Sequence, residues 1–266
     1  MAMAQILSLL PRMDCRTCPA RHEGLCQPMR SEEELADLAR IRLGVRIAPP
    51  RCVIRSQGDE PGLALVVLSG WAAAFHTLPD GRRHITRFLT VGSLIDAEPN
   101  GLVHTIESVE AVTETAVCVQ SEEALNALRA KYPLLEARFV WLLERQLVRD
   151  IERATALAQL SAKERLANLL LHLAVRAARR YPPREGEHIP LPLTQALLGE
   201  ATGLTAVHVN RMLRQLTIEG VLTFQSGRLC ILNLRRLEAM AASDPGVLAL
   251  FAGGHPEPTA LRTLPN

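Results

Sequence analysis

Residues 194–218 read TQALLGEATGLTAVHVNRMLRQLTI, and this stretch decides the fold. It divides into two short helical runs, Thr194 to Ala201 and Thr205 to Ile218, separated by Thr202-Gly203-Leu204. From Gly220 to Leu234 the chain returns to strand-like alternation around Ser226-Gly227. Helix, tight turn with glycine, helix and hairpin together describe a winged helix-turn-helix.

Upstream, a helix is expected over Ala162 to Arg180, ended by the punctuation of Tyr181-Pro182-Pro183-Arg184-Glu185-Gly186. Before it, Val140, Leu143, Leu147, Ile151, Ala154 and Ala158 step by three or four, while Glu144, Arg145, Arg149, Glu152 and Arg153 fall elsewhere on the surface. This predicts a long helix with an apolar seam, and the density of charge off the seam favours an intermolecular contact. The alternative is a core helix packed on its own domain. Residues 46–120 alternate in short runs broken at Gly58-Asp59, Leu68-Ser69-Gly70, Asp80-Gly81 and Val91-Gly92, which reads as a compact β-domain. Asp80-Gly81 is the strongest of these hairpin signals, because glycine tolerates the positive φ of the turn. The tail from Ala242, with Asp244-Pro245-Gly246, Gly253-Gly254, Pro256 and Pro258, is expected to be loosely ordered.

The chain has 266 residues, 48% of them hydrophobic and 22% charged, so it must bury a core. Aromatic content of 3% argues against stacking platforms for single-stranded nucleic acid. No apolar run reaches membrane-spanning length, and Met1 to Met13 lacks the features of a signal peptide, so a cytoplasmic protein with no membrane contact is expected. Residues 1–160 hold 18 Arg and Lys against 20 Asp and Glu, whereas 161–240 hold 11 against 6. A cationic segment after a mildly acidic one fits a protein that meets phosphates with one part only. No Gly-rich phosphate loop, nucleophile elbow or H-E-x-x-H motif supports an enzyme.

Six cysteines in a reducing compartment point to metal or redox chemistry rather than a disulfide framework. Cys15-Arg16-Thr17-Cys18 followed by Cys26 puts three thiols within twelve residues, and Cys118, expected at the end of a strand, is a candidate fourth. Four thiolates can hold a cubane cluster, a [2Fe–2S] cluster or a tetrahedral zinc. Cys52 and Cys230 lie in apolar strand patterns and read as small buried hydrophobes.

At this point the chain resembles the CRP/FNR family of bacterial transcription regulators over nearly its whole length. The β-roll pattern is matched by Gly58-Asp59, Ser69-Gly70, Asp80-Gly81-Arg82 and Val91-Gly92-Ser93-Leu94, and the DNA-binding part by Leu193-Thr194-Gln195 and Gly203-Leu204-Thr205-Ala206-Val207-His208-Val209-Asn210-Arg211. The resemblance implies an α+β fold: a cysteine-rich segment (1–30), a cyclic-nucleotide-binding-like β-roll sensor (31–130), a dimerisation helix (131–160), a winged helix-turn-helix (161–240) and a flexible tail (241–266). It implies a cytoplasmic homodimer that binds a pseudo-palindromic operator in double-stranded DNA and acts with RNA polymerase, and no enzyme.

Cys15, Cys18, Cys26 and Cys118 look like the ligand set of the oxygen-sensing FNR branch, in which a [4Fe-4S] cluster promotes dimerisation; nitric oxide or another redox signal is open. A zinc- or thiol-based redox regulator of the same fold is the alternative. The cyclic-nucleotide pocket is matched poorly, since Gly92-Ser93-Leu94 replaces its Gly-Glu-Leu turn and Val103-His104-Thr105-Ile106-Glu107 offers no Arg for the phosphate, so cAMP is not expected. Haem, with His22, His76, His84 or His104 as ligand, is a further gas-sensing alternative. Asp150, beside Leu147, Ile151 and Ala154, matches the family's acid that keeps the cluster-free form monomeric; it also reads as an exposed acid paired with Arg149 or Arg153. Arg211 matches the family's guanine-reading Arg, which bonds O6 and N7 together. Val207 stands where the family usually has Glu, and Asn210 where FNR has Ser, so with His208 they imply a different half-site preference. Thr194, Gln195, Thr205, Arg214 and Arg228 are the remaining candidates, the last two as phosphate contacts.

Overall fold

Strand alternation in the first half and helix capping in the second account for most of the architecture. The computed structural model describes residues 14–95 and 104–252. The chain divides into two units, Met1–Glu144 and Arg145–Asn266.

The first unit opens with two short 3-10 turns, Cys15–Thr17 and Pro19–His22, followed by α1 (Glu32–Ile41). Then come β1 (Arg42–Ala48), β2 (Val53–Arg55), β3 (Leu63–Ser69), β4 (Ala72–Thr77), β5 (Arg83–Leu89), β6 (Leu94–Ile95), β7 (Ser108–Ala111), β8 (Thr115–Ser121) and α2 (Glu122–Lys131). Two antiparallel four-stranded sheets form, in the orders β1-β8-β3-β6 and β2-β7-β4-β5. Side chains alternate across a strand with period two. Leu65, Val67, Val117 and Val119 therefore pack against Ala72, Ala74 and Val109 of the second sheet. The intervening Val66, Leu68 and Cys118 point to the opposite face, where Val45 and Ala20 meet them. The Asp80-Gly81 turn joins β4 and β5 as expected, with Gly81 at φ +85°.

Several expectations are corrected here. Cys118 is the fourth of seven residues in β8 rather than its end, because β8 is hydrogen-bonded on both sides, to β1 and β3. Cys52 is half-buried in the turn before β2, since Pro49 and Pro50 keep the chain out of the sheet until Val53. Helix α1, which the sequence reading passed over, carries a capping box formed by Ser31 and Glu34. Its Asp37 accepts from Lys131 Nζ and Tyr132 Oη, both at 2.7 Å. The Lys131 ammonium holds the Asp37 carboxyl below the usual range.

Helix α3 (Pro133–Gln159) begins in the first unit and continues into the second. The second unit adds α4 (Ala162–Ala178), β9 (His188–Pro190), α5 (Gln195–Thr202), α6 (Ala206–Ile218), β10 (Leu222–Gln225), β11 (Arg228–Ile231), α7 (Leu234–Ala241) and α8 (Pro245–Phe251). Ser161 and Glu164 cap α4 reciprocally, and Leu166, Leu170 and Leu171 along it are fully buried. Strands β10 and β11 form the expected hairpin around Ser226-Gly227, and β9 pairs with β11 as a third strand. The segment expected to be loose from Ala242 instead contains α8, whose Leu248 and Phe251 are buried. Gly253-Gly254, Pro256, Pro258 and residues 1–13 lie outside the described residues. Among the described residues, no helix is long and apolar enough to cross a membrane.

Candidate functional site

The cysteine segment is held in place by packing more than by its own hydrogen bonds. Asp14 Oδ1 accepts from Arg16 N at 2.9 Å to start the first 3-10 turn, and Pro19 starts the second. Gly24 N then closes back on Ala20 O at 2.9 Å. Leu25 and Met29 are both 1% exposed and pack with Leu38, Leu135 and Phe139. Each such side chain contributes on the order of 1.5–3 kcal/mol, against about 0.5–1.5 kcal/mol net for any one of the loop hydrogen bonds. A Cβ on Gly24 would lie 3.1 Å from Gly92 O, and one on Gly92, at φ +81°, would lie 2.9 Å from Gly24 N. The loop thus sits backbone to backbone on the Val91-Gly92-Ser93 turn, an approach that only glycine permits on both sides.

This arrangement brings Cys15, Cys18, Cys26 and Cys118 to the lining of one cavity of about 30 Å³. Cys118 is buried and the other three are half-buried. Leu25, Leu38, Val66 and Leu68 complete much of the wall, and Arg21, Arg42 and Gln120 supply its polar atoms. Arg42 Nη1 donates to Cys15 Sγ at 3.8 Å and Gln120 Nε2 to Cys118 Sγ at 4.0 Å. Desolvation pushes the Cys118 thiol up to about 12, opposed by the Arg42 guanidinium and reinforced by Cys18 and Cys15. Desolvation also raises Cys26, with Cys118, Cys18 and Cys15 adding to it, and raises Cys15 against the pull of Arg42. Each thiol therefore lies within electrostatic reach of the other three. Cys15, Cys26 and Cys118 are thus held towards the neutral thiol, and a cation in the cavity would offset that. Gln120 is 4% exposed, and its Nε2 aims a donor at the Cys118 sulfur, as a sulfur-rich anionic group requires of a buried wall. The donor set fits an iron–sulfur group.

Among the described residues, no three Cys, His, Asp or Glu side chains converge on a point that would hold a single metal ion. Tetrahedral zinc at about 2.3 Å from each sulfur needs the sulfurs roughly 3.8 Å apart. The candidate haem ligands are scattered: His76 pairs with His84 across β4 and β5, while His22 and His104 are exposed elsewhere.

Along α3, Val140, Leu147 and Ile151 are 43%, 60% and 57% exposed, and Ala154 is exposed as well. Leu143 differs: it is half-buried and packs toward the cluster around Leu135 and Phe139. Asp150 is exposed and accepts from Gln146 Nε2 at 2.8 Å. Of the arginines considered as its partners, Arg149 lies over the Phe251 ring and Arg153 donates to Ala201 O at 2.8 Å.

In the helix-turn-helix, Thr194 Oγ1 accepts from Leu197 N and Thr205 Oγ1 from His208 N, each at 3.2 Å, so both hydroxyls cap helices. Each retains its own O–H to donate. Gly203 closes α5 at φ +69°. Gly199 has a second requirement, since a Cβ there would lie 2.4 Å from Leu204 O. Helix α6 buries Val209, Met212, Leu213 and Leu216 and exposes Val207, Arg211, Arg214 and Gln215, while His208 and Asn210 are half-buried. Val207 is 81% exposed. Arg228, exposed at the start of β11, follows the hairpin turn, and Gln195 is half-buried at the start of α5. The sequence alone did not reveal that His208 Nε2 lies 2.8 Å from Arg211 Nη2, although their separation by three residues on a helix is the available signal.

Comparison with known proteins matches residues 45–132 to the cyclic nucleotide-binding domain and residues 164–240 to the Crp-like helix-turn-helix domain. The transcriptional activator protein FnrL of Cereibacter sphaeroides is 28% identical over 247 residues, covering 92% of this chain and 97% of the relative. The fumarate and nitrate reduction regulatory protein of Escherichia coli K12 is 27% identical over 235 residues, covering 88% and 92%. Among solved structures, FixK2 from Bradyrhizobium japonicum superposes with a TM-score of 0.67 at 23% identity, over 75% of this chain and 98% of that one. A CooA mutant from Carboxydothermus hydrogenoformans gives 0.68 at 19%, over 82% and 95%. These two likenesses concern the fold, an α+β arrangement of cyclic-nucleotide-binding-type β domain, long helix and helix-turn-helix with a small wing sheet. With both halves matched and the regulators aligned along nearly the full chain, the protein belongs to the CRP/FNR family of DNA-binding transcription regulators.

Proposed function

We propose that this regulator senses oxygen, or a related redox signal such as nitric oxide, through an iron–sulfur cluster held by Cys15, Cys18, Cys26 and Cys118. The observation that carries the reading is the shared cavity: three thiols of one loop and a fourth from a strand more than ninety residues away line the same small space. When bound, such a cluster supplies iron–thiolate bonds that oxygen can destroy, and [4Fe-4S] is the form suggested by the FNR relatives.

The chain's own residues supply the rest. Apolar side chains around the cavity limit access of water, and Arg42 and Gln120 direct N–H groups at sulfurs. Such donors orient ligands and set the electronic balance of a cluster. The exposed seam of α3, with Val140, Leu147, Ile151 and Ala154 and Leu143 at its edge, is the surface on which two chains would associate, and paired Asp150 carboxylates would oppose that association. A two-fold dimer then presents two copies of α6 to a pseudo-palindromic operator. Arg211, Val207, His208 and Asn210 read base edges, while Thr194, Gln195, Thr205, Arg214 and Arg228 contact or approach the phosphates. The reading makes the protein cytoplasmic, where thiols stay reduced.

The test is an optical spectrum with iron and sulfide analysis on protein purified without oxygen, repeated after air is admitted. Broad visible absorbance that bleaches in air, with on the order of four irons per chain, is the expected outcome. A colourless protein that contains zinc or no metal would discard the sensing mechanism and leave the DNA-binding assignment standing.

A further inference from the structure

Helix α3 meets the cysteine loop through the packing of Leu135 and Phe139 with Leu25 and Met29 and through one buried guanidinium. Arg138 is 5% exposed, and its Nε and Nη2 donate to two consecutive carbonyls of the loop, Gly24 O at 3.2 Å and Glu23 O at 3.0 Å. These carbonyls lie two and three residues before Cys26. The guanidinium also covers the Trp141 ring, 4.3 Å from its centroid, which restrains it from the side. Gly24 also abuts Gly92. The backbone that leads to Cys26 is therefore held by both the Gly92 turn and Arg138.

Two residues along the same helix, Val140 opens the exposed apolar seam. We propose that Arg138 is a positioning residue that couples the state of the cysteine loop to the seam of α3. A planar fork bound to two successive carbonyls is sensitive to both the position and the tilt of the loop. A rearrangement at Cys26 that shifts residues 23 and 24 changes the Arg138 bonds, and α3 is the element that must respond. The loop and the seam are then two sites whose coupling free energy runs through the directional Arg138 fork, while the apolar packing of Leu135 and Phe139 holds the two elements together. The role of the cluster as signal rests on the proposed function above, whereas the clamp rests on the geometry of this loop.

The experiment compares the full-length wild type with Arg138→Met, Arg138→Lys, Gly24→Ala and the double variant Gly24→Ala/Arg138→Met. In the first arm, iron content and dimer association are measured on anaerobically loaded and air-treated protein. The ratio of the two association constants in the wild type is expected to fall in the usual coupling range of roughly 5- to 150-fold. Arg138→Met should take up iron to the wild-type level yet bring this ratio close to one. Arg138→Lys, which reaches one carbonyl at a time, should recover part of it and serves in place of the Met variant if the latter does not fold. A wild-type ratio in both variants would overturn the inference.

The second arm needs no cluster, so a wild type that takes up no iron defeats the sensing reading and leaves this test intact. Backbone hydrogen exchange of α3 is followed in metal-free protein. Gly24→Ala, whose Cβ would crowd Ala20 O and Gly92 O at 3.1 Å, displaces the loop and should raise exchange along α3. In the Arg138→Met background, the same change should add nothing. Additive effects of the two substitutions would mean that the loop and the helix communicate by another route, and the assignment to Arg138 would fall.

Discussion

His208 Nε2 lies 2.8 Å from Arg211 Nη2, one helical turn apart on the exposed face of α6. An imidazole Nε2 that accepts from the guanidinium would restrain Arg211 ahead of the DNA contact proposed for it. Arg211→Ala is expected to cost about 1–3 kcal/mol of operator affinity and to relax preference at one base pair. His208→Ala should weaken discrimination at that same pair by a smaller amount, because the guanidinium remains but loses its restraint. Binding measured by fluorescence anisotropy against single-base operator variants tests both, and unchanged preference in Arg211→Ala would remove that residue from the readout.

Val207 is 81% exposed at the start of α6, where its apolar side chain is open to contact with a partner. A thymine methyl is the apolar feature of the major groove. Replacing the contacted thymine by uracil should cost the wild type about 0.8 kcal/mol, the worth of one methyl-sized group. The same replacement should cost Val207→Ala less. Equal sensitivity of both proteins to every thymine-to-uracil change would show that Val207 reads no methyl.

Asp150 stands exposed between Leu147 and Ile151, each more than half exposed. Two such carboxylates brought together across a two-fold seam repel one another. Under the proposed function the wild type is monomeric in air, and Asp150→Ala should dimerise there. Sedimentation velocity on air-treated protein decides it, and a variant that stays monomeric would separate Asp150 from control of association.

His172 is half-buried in the second unit, with Nε2 3.1 Å from Ser243 Oγ and its ring against Phe251. Burial, helped by Arg149, lowers its folded-state pKa to about 4 from a usual 6.5. Above pH 6.5 both folded and unfolded states hold it neutral, so it contributes no pH dependence there. As pH falls from 6.5 towards 4, the unfolded chain gains a proton that the folded chain refuses, and stability declines by up to about 3 kcal/mol. Urea unfolding of His172→Gln should show a shallower acid loss than wild type over that window. Parallel pH profiles would show that His172 is not the group responsible.

The helix-turn-helix was legible in the sequence because its determinants are local. Thr194, Gly203 and Thr205 act on backbone groups within a few residues of themselves, as do Gly81 in its hairpin and Ser226-Gly227 in the wing. The close approach of Gly199 to Leu204 escaped notice, since a glycine inside a helix carries no local signature of what lies beside it. Helix α8 was hidden for a related reason: Asp244-Pro245-Gly246 reads as a turn, whereas Asp244 caps the helix, Pro245 suits its first position, and burial of Leu248 and Phe251 holds it.

At the cysteine site the division is sharper. Sequence by itself determined three thiols on one short loop, a long helix with an apolar seam and a recognition helix with its residues in order. Only the tertiary structure decided that Cys118 shares their cavity, because pairing of β8 with both β1 and β3 sets which face of the strand its side chain occupies. It also decided that Gly24 rests on Gly92, that Arg138 grips the loop and that Leu143 turns toward the core. Capping, turn geometry and helical periodicity act between near neighbours, so a sequence exposes them. Packing of segments more than sixty residues apart depends on which surfaces are brought together when the apolar core closes.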